Sequence, residues 1–437
     1  MTSDLDIAVH PEDVDKLPLV FFAMREQGYR LIQRLNYLVH ADYFVFSWTE
    51  GSLHKFAALD IISEHRRGGL FAASGESLVS ERRKNDVFWV SSASTEFSYL
   101  LLKKIWKARI SAAQSARLQT LALELGRSES VRILERIFRQ RWAERITDAC
   151  LNGRIAELFP QLKNELWYSS LLKTPARFAA YLITDGWRRA RRWIQPTGVV
   201  LVVMGPDGIG KSTLAARLFE QTGIPFRRQR LFHWRPGFLT PTKQYGDGIR
   251  NPHSDSARRP ISSSVRLFCV LLDYWLGYVF VVRPLLARST LIIFDRHFLD
   301  AQVDPLRYRY GGPAWLPTVL SRLLPPGNSI EFILDAEEEK ILSRKFEIPF
   351  EEVRRLRKAY SKLANRLPAS ILIKAEVGPE GTASVAMDAL VEYMDRRFQS
   401  RHRGWLSRTS DAQFGPVTAI PKSETQEASH QSSQFGT

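Results

Sequence analysis

Cysteine is scarce in this sequence, and no group of cysteine and histidine residues has the spacing of a metal site. The 437 residues include two cysteines, Cys150 and Cys269, far apart along the chain. A disulfide framework is therefore excluded, and a reducing, cytoplasmic compartment is expected. The lack of paired Cys and His ligands also argues against a structural zinc site.

Long apolar runs are missing as well. The oiliest stretch, LFCVLLDYWLGYVFVV at 267–282, is shorter than a bilayer span and contains Asp273. It predicts a buried helix, with a membrane segment as the less favoured alternative. The amino-terminal stretch MTSDLDIAVHPEDVDKL is acidic and has no apolar signal core, so no secretory signal is expected.

Positive charge is abundant. The formal net charge is +16, which favours anionic partners such as nucleotides, nucleic acid or an acidic membrane face. No zinc-finger spacing and no RNA-binding aromatic signature accompanies it, so nucleic acid is not the expected partner. A hydrophobic share of 44% is enough for folded cores, and the length suggests two or three domains.

The pattern divides the chain into four regions, of which the third, 196–400, is described in the next paragraph. Residues 1–94 contain the strand-like runs DLDIAV, YFVFSW, FAALDII and VFWVSS, which predict a small α+β region. Residues 95–195 are helical in pattern and end in the basic run GWRRARRWIQPTG. We expect that run to be a solvated helix end leading into a linker, with contact to a membrane or RNA as the alternative. Residues 401–437 are polar and predict a disordered tail.

Residues 196–400 alternate between aliphatic strands and helical segments. The strands are VVLVVMG, STLIIFD, IEFILD and ILIKA, each with little polar alternation. Such strands are typical of a parallel sheet covered on both faces. The region therefore predicts a three-layer α/β fold built from right-handed crossovers.

The segment GPDGIGKST follows the first of these strands. It fits the pattern G-x-x-x-x-G-K-[ST], in which glycines let backbone N–H groups surround a phosphate at a helix amino terminus. The lysine reaches the β- and γ-phosphates, and the serine hydroxyl is a Mg²⁺ ligand. The residues expected at this site are Gly205, Asp207, Gly208, Gly210, Lys211, Ser212 and Thr213.

A second candidate group ends the strand STLIIFD. Asp295 lies at its carboxyl end, where P-loop enzymes place an acid that supports Mg²⁺. Arg296 follows and is expected to hold a second anion, and His297 is a further candidate for substrate contact. The alternative is a structural ion pair at the strand end.

The segment LSRKFEIPFEEVRRLRKAYSKL concentrates basic residues in a short helical region. Arginines that close over a transferring phosphoryl group stabilise its charge, so Arg344 and its basic neighbours predict a lid. The alternative is a solvated face in which Glu347, Glu351 and Glu352 pair with those bases.

Together these residues resemble the thymidylate kinase family of P-loop nucleoside monophosphate kinases. The resemblance covers about 198–398 and rests on GPDGIGKST, on the Asp-Arg-His of FDRH and on ILDAEEEKILSRK. It implies an ATP- and Mg²⁺-dependent kinase. By that resemblance Asp207 contacts the acceptor's sugar, Arg296 contacts its phosphate, and Arg344 assists transfer.

The sequence departs from the family where the acceptor base would be seated. Asp304 and Pro305 stand where the family has Tyr and Gln, a polar insert occupies 240–260, and the Arg-Pro-Gly at 235–237 lacks the family's Glu. The acceptor is therefore left open as a nucleotide or sugar phosphate. A homodimer is one expectation for the assembly. The alternative from another class is a nucleotide-switched binding protein without an acceptor.

The amino-terminal region carries a third set of acids. Asp4 and Asp6 alternate on one strand face, and Asp60 lies on a second strand, as in a two-metal site. The region resembles the nucleotidyltransferase superfamily, whose catalytic acids would correspond to these three. The superfamily's Gly-Ser segment before the paired acids is missing, so a remnant domain or a start upstream of Met1 is expected. A bifunctional enzyme is the corresponding alternative.

Overall fold

A computed structural model describes most of the chain. The described residues are 5–51, 53–67, 70–85, 88–107, 109–173, 175–239, 256–325, 329–344, 349–375 and 378–407. The expected disordered tail from 408 onward and most of the polar insert lie outside these residues.

The described chain contains thirteen strands and seventeen α-helices. The strands are β1 (Leu5–Ala8), β2 (Arg30–Leu38), β3 (Ala41–Glu50), β4 (Leu53–Ile62), β5 (Glu64–Arg67), β6 (Leu70–Ser74), β7 (Arg83–Asn85), β8 (Phe88–Val90), β9 (Val199–Met204), β10 (Arg228–His233), β11 (Thr290–Asp295), β12 (Ser329–Asp335) and β13 (Ser370–Lys374). The helices are α1 (Leu17–Glu26), α2 (Gly75–Ser80), α3 (Ala93–Lys107), α4 (Ala112–Leu125), α5 (Arg127–Glu135), α6 (Gln140–Leu151), α7 (Ile155–Lys173), α8 (Pro175–Ile194), α9 (Lys211–Gln221), α10 (Pro260–Gly277), α11 (Arg283–Ala287), α12 (Asp300–Val303), α13 (Leu316–Ser321), α14 (Glu338–Arg344), α15 (Phe350–Ala364), α16 (Gly378–Arg401) and α17 (Arg403–Leu406).

The amino-terminal sheet has four strands in the order β1-β4-β3-β2. Strand β1 is parallel to β4, and the other neighbours are antiparallel. The central part of strand β3 is buried, in keeping with its sequence, ADYFVFSWTE, which is rich in aromatic and β-branched residues. Phe21 of α1 packs on Phe44 and Phe46 of this strand, which fixes the helix against the sheet.

Helices α3–α8 occupy the region whose pattern predicts helix. Their first part forms its own apolar core, which includes Phe97, Leu101, Phe138 and Leu162. Helix α4 begins at a capping box, in which the Ser111 hydroxyl accepts from the Gln114 amide and the Gln114 side chain accepts from the Ser111 amide.

The carboxyl-terminal sheet confirms the predicted parallel α/β architecture. Its five strands run in the order β10-β11-β9-β12-β13, and every neighbouring pair is parallel. Strands β9 and β11 are buried along their whole length, as their aliphatic sequences require. The carboxyl ends of these two strands lead to Gly205 and Arg296, so the two sequence-predicted phosphate-binding segments lie at one edge of the sheet.

Helix α16 joins the two sheets. Its Asp395 accepts from both terminal nitrogens of Arg25 in α1, at 3.1 and 3.3 Å. Gln33 of β2 donates to the carbonyl of Pro225, and side chains of β2, β3 and β4 share one apolar core with the parallel sheet. The helix continues one residue into the region expected to be a tail, and Trp405 of α17 then stacks on Phe44. Apolar packing onto the amino-terminal sheet explains why this part of the expected tail is helical.

The oily stretch at 267–282 lies in the one described helix long and apolar enough to span a bilayer, Pro260–Ala287, with a mean hydropathy of 1.8. That criterion by itself is weak evidence for a span. The expectation of a buried helix is only partly met, because 39% of the apolar window is buried. Residues such as Leu267, Leu271 and Tyr274 face the protein, while Phe268 and Leu272 are exposed on the other side.

The basic run at the end of α8 differs from the expected solvated helix end. Arg189 and Arg191 are exposed, but Arg188 and Arg192 are partly buried against the body of the protein. Arg188 pairs with the buried Asp185 one turn earlier, at 2.9 Å between Nε and Oδ1. The run therefore has a solvated side and a packed side.

Candidate functional site

The loop between β9 and α9 has the backbone of a phosphate cradle. Gly205, Gly208 and Gly210 all have positive φ angles, of 142°, 82° and 104°. A Cβ atom at Gly205 would lie 2.8 Å from the Leu334 carbonyl oxygen, so glycine is required there by contact as well as by conformation. Helix α9 begins directly after Gly210, which directs its positive dipole end toward the loop.

Lys211 lies inside this loop. Its Nζ atom donates to the carbonyl oxygens of Gly205 and Pro206, at 2.8 and 2.6 Å, and lies 3.5 Å from Oδ1 of Asp207. The side chain is 6% exposed, and a buried ammonium group needs such acceptors. The position is that of a cation held at the centre of a glycine-rich anion cradle.

Ser212 and Asp295 bring two oxygen ligands together. The Ser212 Oγ atom donates to Oδ2 of Asp295 at 2.8 Å, and Asp295 is buried at the carboxyl end of β11. The other carboxylate oxygen, Oδ1, is buried and has no hydrogen-bond partner among the described residues. Hydroxyl and carboxylate oxygens are ligands that Mg²⁺ prefers, and few protein ligands are usual when phosphates complete the shell. The donor set therefore fits Mg²⁺. The described residues contain no group of three or more His, Cys, Asp or Glu side chains that could hold a metal ion without such help.

Asp207 is the meeting point of three cations. Its carboxylate forms ion pairs with Arg296 and Arg307 and lies close to Lys211. Both Asp207 and Arg296 are less than a tenth exposed. The buried Asp300 also lies close enough to Arg296 and Lys211 for their charges to interact. The two guanidinium groups and the ammonium group bring many hydrogen-bond donors to one point, which suits an anion. Arg307 was not among the residues expected at the site.

The turn that carries Arg296 is strained and well supported. Arg296 has a φ angle of 77°, which is unusual for a residue with a side chain. Its amide donates to the Val203 carbonyl at 3.0 Å, which ties it to β9. The next amide, that of His297, donates to the buried Asp300 at 2.7 Å, and the Tyr360 hydroxyl donates to the same carboxylate at 2.6 Å. Burial raises the pKa of Asp300 despite these contacts.

His297 itself is held as a neutral ring. Tyr274 and Phe294 pack edge-on against it, at 5.1 and 5.9 Å between ring centroids. Burial lowers the pKa of His297 to about 3, so the imidazole is uncharged at neutral pH. The side chain contributes no positive charge toward a substrate anion.

The Arg-Pro-Gly segment at 235–237 lies near the same edge of the sheet, directly after β10. Asp273, the acid within the oily helix α10, accepts from the amides of Gly237 and Leu239 at 3.1 and 2.6 Å. It also pairs with Arg235 at 3.2 Å. Asp273 is therefore a buried anchor for this segment, which explains a carboxylate in an otherwise apolar helix.

The basic residues around α14 and α15 fall into two sets: those at the end of α14, next to residues outside the described ranges, and those of α15 that form ion pairs. Arg344 is the last residue of α14, and Lys345 lies outside the described residues together with Glu347. Arg355 pairs with Glu352 at 2.6 Å, and Arg357 pairs with Asp335 at 2.8 Å and with Glu338. The pair of Arg355 with Glu352 is one that the solvated-face alternative expected, whereas Arg357 pairs with two acids outside the expected set.

Asp304 and Pro305 follow α12 and begin a short turn. Asp304 Oδ1 accepts from the Arg307 amide at 3.2 Å, so it helps to orient the turn that presents Arg307 to Asp207. Tyr308 from the same turn stacks on Trp234, with 4.9 Å between ring centroids.

In the amino-terminal sheet, Asp6 and Asp60 are directly opposite each other on parallel neighbouring strands. The ammonium group of Lys103 donates to Asp6 at 2.6 Å, and the Tyr37 hydroxyl donates to both oxygens of Asp60, at 2.7 and 2.8 Å. Burial raises the pKa of Asp60, and Asp6 adds to that effect. Asp4, the third expected acid, lies outside the described residues.

A cavity of about 280 Å³ adjoins the phosphate cradle. Its lining includes Gly208, Gly210 and Thr213 on one side, and Ala375 and Pro379 after β13 on the other. The cavity places open space beside the cradle, at the carboxyl end of the sheet. In open parallel sheets, ligands bind at this edge.

No family model and no curated protein matches the chain. Among solved structures, one match is the crystal structure of thymidylate kinase from Ehrlichia chaffeensis. It is 19% identical to this chain, covers 44% of this chain and 99% of its own length, and has a TM-score of 0.33. At this identity and TM-score the likeness carries no functional assignment.

Proposed function

We propose that this chain is an ATP- and Mg²⁺-dependent phosphotransferase that phosphorylates a small anionic acceptor. The observation that carries the proposal is the convergence of Lys211, Arg296 and Arg307 on the single carboxylate of Asp207. The first cation belongs to the phosphate cradle and the other two come from the segment after β11. The cradle cation would bind the donor phosphate and the two arginines would bind the acceptor anion, so that both anions lie next to each other around Asp207.

The donor side of the site uses the cradle. The loop amides and Lys211 would hold the β- and γ-phosphates of ATP, and the adjoining cavity offers room for the rest of the nucleotide. Ser212 and Asp295 would hold Mg²⁺, which when bound neutralises charge on those phosphates. Lys211 would exchange its contacts with the loop carbonyls for contacts with phosphate oxygens.

The acceptor side uses Arg296 and Arg307. A guanidinium group binds a phosphate or carboxylate through two parallel hydrogen bonds, which gives orientation as well as affinity. The supported turn of Arg296 fixes its direction before substrate binds, and positioning of this kind supplies much of the rate in phosphoryl transfer. The γ-phosphoryl group would move from ATP to an oxygen of the acceptor, with ADP as the leaving group.

A direct test is a screen for phosphorylated products. Full-length protein, Mg²⁺ and ATP labelled at the γ-phosphate are mixed with nucleoside monophosphates, sugars and sugar phosphates in separate reactions. We expect label transfer to at least one anionic compound, and no transfer with Lys211→Ala. The variant Lys211→Arg keeps the positive charge and changes the shape of the group, so it separates the need for a charge from the need for an ammonium group.

The screen also separates the proposal from its rival in another class. ATP that binds with micromolar affinity and is hydrolysed slowly, with no labelled acceptor in any reaction, would favour a nucleotide-switched binding protein. Turnover of thymidylate would extend the family resemblance to the substrate. Turnover of a sugar phosphate would indicate that the Asp304 segment reshaped the acceptor side.

A second candidate function is nucleotidyl transfer by the amino-terminal sheet. The observation that favours it is the register that places Asp6 beside Asp60. Lys103 forms an ion pair with Asp6, and its charge also acts on Asp60, so the activity would require that this ammonium group be displaced or take part in binding. Release of pyrophosphate from nucleoside triphosphates that is lost in Asp60→Asn and retained in Lys211→Ala would support this function. If the wild-type protein released no pyrophosphate, the nucleotidyl-transfer function would be contradicted.

A further inference from the structure

A second basic cavity lies far from the phosphate cradle. It has a volume of about 290 Å³ and lies between the end of β2, the last turns of α8 and the carboxyl-terminal end of α16. Within the described part of the chain, no Asp or Glu lines it. Its arginines are Arg34, Arg188, Arg191, Arg192 and Arg401.

Three of these arginines have evident structural roles. Arg34 pairs with Asp42 at 2.6 Å, and Arg188 pairs with Asp185 behind the cavity wall. Arg401 donates to the Pro196 carbonyl at 2.7 Å. That hydrogen bond ties the end of α16 to the segment that follows α8.

Arg191 and Arg192 have no such explanation. Neither has an ion-pair partner among the described residues, and the Nε atom of Arg192 is buried without a hydrogen-bond acceptor. Burial, together with the nearby charges of Arg188 and Arg227, lowers the pKa of Arg192 to about 10. A partly buried guanidinium beside other cations is costly unless an anion accompanies it.

We propose that this cavity binds a phosphate group, with Arg191 and Arg192 as its principal ligands. Arginine recognises phosphate through paired hydrogen bonds, and several arginines on one wall suit a ligand with more than one negative charge. His402 also lines the cavity, and burial lowers its pKa, so its ring is uncharged at neutral pH and the positive charge of the cavity comes from the arginines. The site is independent of the proposed kinase activity.

The cavity and the cradle are separate sites. Thr197 lines the cavity and lies two residues before the start of β9, whose opposite end leads into the cradle. A strand of six residues rises by about 3.3 Å per residue, so the two sites are about 20 Å apart. A ligand in the cavity would therefore not compete with ATP for the same contacts.

Two sources could supply the phosphate group. One is a soluble polyphosphate or nucleotide. The other is a lipid headgroup, because the outer face of α8 exposes Ile183, Trp187 and Ile194, with Arg177 and Arg191 beside them. Apolar residues flanked by arginines are typical of helices that lie on anionic membranes. Both sources present the same chemistry to Arg191 and Arg192.

The soluble source is tested with pyrophosphate by isothermal titration calorimetry on the Lys211→Ala chain, which weakens the cradle. We expect one saturable site, weakened at least tenfold by the added pair Arg191→Gln and Arg192→Gln. The matched control, Arg177→Gln with Arg189→Gln, removes the same charge from the same helix outside the cavity and should change the affinity less than twofold.

The lipid source is tested by sedimentation with phosphatidylcholine vesicles that contain phosphatidylglycerol. Binding that needs Arg191 and Arg192, and is absent with pure phosphatidylcholine, would support the site and assign a lipid headgroup. Failure of both pyrophosphate and vesicles to bind would overturn the proposal, as would an equal loss of pyrophosphate affinity in the control pair. Thermal unfolding of each variant checks the fold, and the exposed Arg191→Gln alone replaces the pair if the pair unfolds.

Discussion

The hydroxyl of Ser212 donates a 2.8 Å hydrogen bond to Oδ2 of Asp295, which lies 83 residues further along the chain. Ser212 is in the first turn of α9, and Asp295 ends the adjacent strand β11. The contact joins the two motifs that the sequence predicts separately. It also leaves Oδ1 of Asp295 buried and without a hydrogen-bond partner among the described residues.

Replacing that carboxylate should remove the metal-dependent step. In Asp295→Asn the amide oxygen still accepts from Ser212, so the fold should be retained, but the negative charge is lost. We expect ATP turnover to fall by about 100-fold or more, as when a group that stabilises transition-state charge is removed. The measurement is initial rate against Mg²⁺ concentration.

Asp335→Asn is the matched control, because Asp335 ends β12, on the other side of β9 in the same sheet, and is held by Arg357 instead. Its Mg²⁺ dependence should equal that of the unaltered protein. An Asp295→Asn protein with an unchanged Mg²⁺ profile would rule out the metal-binding role.

Arg307 should act on the acceptor rather than on ATP. It pairs with Asp207 from the segment after α12 and has no contact with the cradle backbone among the described contacts. We expect Arg307→Ala to raise the acceptor KM at least tenfold while the Kd for ATP changes less than twofold. Arg322→Ala, an exposed arginine in the same part of the chain, should change neither constant. A large loss of ATP affinity in Arg307→Ala would place this residue on the donor side.

The sequence predicts the parts of this site that depend on local pattern. The cradle is predicted from an aliphatic strand followed by glycines, and Asp295 from an aliphatic strand that ends in an acid. The structure places the two next to each other, through the hydrogen bond between Ser212 and Asp295. Arg307 could not be found in this way, because its role arises from a turn that folds back onto Asp207. A basic residue after an Asp-Pro pair was the one available signal, and many solvated loops share it.

The same distinction applies to the fold. The four aliphatic strands were predicted, but β10, with the sequence RQRLFH, was not. It is an edge strand with only partial burial, so its polar residues are tolerated and no aliphatic run marks it. Long-range contacts were also missed. Trp405 packs on Phe44, about 360 residues earlier in the chain, and Arg25 pairs with Asp395 across a separation of 370 residues. No local sequence pattern encodes such contacts.

The two cysteines should differ sharply in reactivity. Cys150 is buried in the helical core, and burial raises the pKa of its thiol to about 12, whereas Cys269 is exposed on α10. Because the thiolate is the reactive form, we expect one thiol per chain to react with Ellman's reagent in native protein and two in denaturant. Cys269→Ser should leave native protein unreactive. Rapid reaction of Cys150 in that variant would show that the helical core opens readily.

The buried Asp60 should make the amino-terminal sheet sensitive to pH. Burial raises the pKa of Asp60 in the folded state, so its ionisation costs stability, and the free energy of unfolding falls as pH rises through that pKa. Asp60→Asn retains an oxygen that accepts from Tyr37 and removes the charge. We expect it to be more stable than the unaltered protein at pH 7 and equal to it below about pH 3.9, the ordinary Asp pKa.

Urea unfolding at several pH values measures this difference. Asp13→Asn is the control of opposite sign, because the hydrogen bond from Lys16 lowers the pKa of the exposed Asp13. A loss of stability in Asp60→Asn at pH 7 would mean that Lys103 and Arg227 need the negative charge more than its burial costs.

Two glycines in helices should respond oppositely to alanine. Gly277 ends α10 where a Cβ would lie 2.4 Å from the Cβ of Pro236, and Gly186 lies within α8 with nothing within 4 Å. Gly277→Ala should therefore destabilise the protein by about 1–3 kcal/mol, as overpacking does, while Gly186→Ala should stabilise it by about 0.5–1 kcal/mol. Chemical denaturation of both variants tests this, and equal effects at the two positions would contradict the close contact with Pro236.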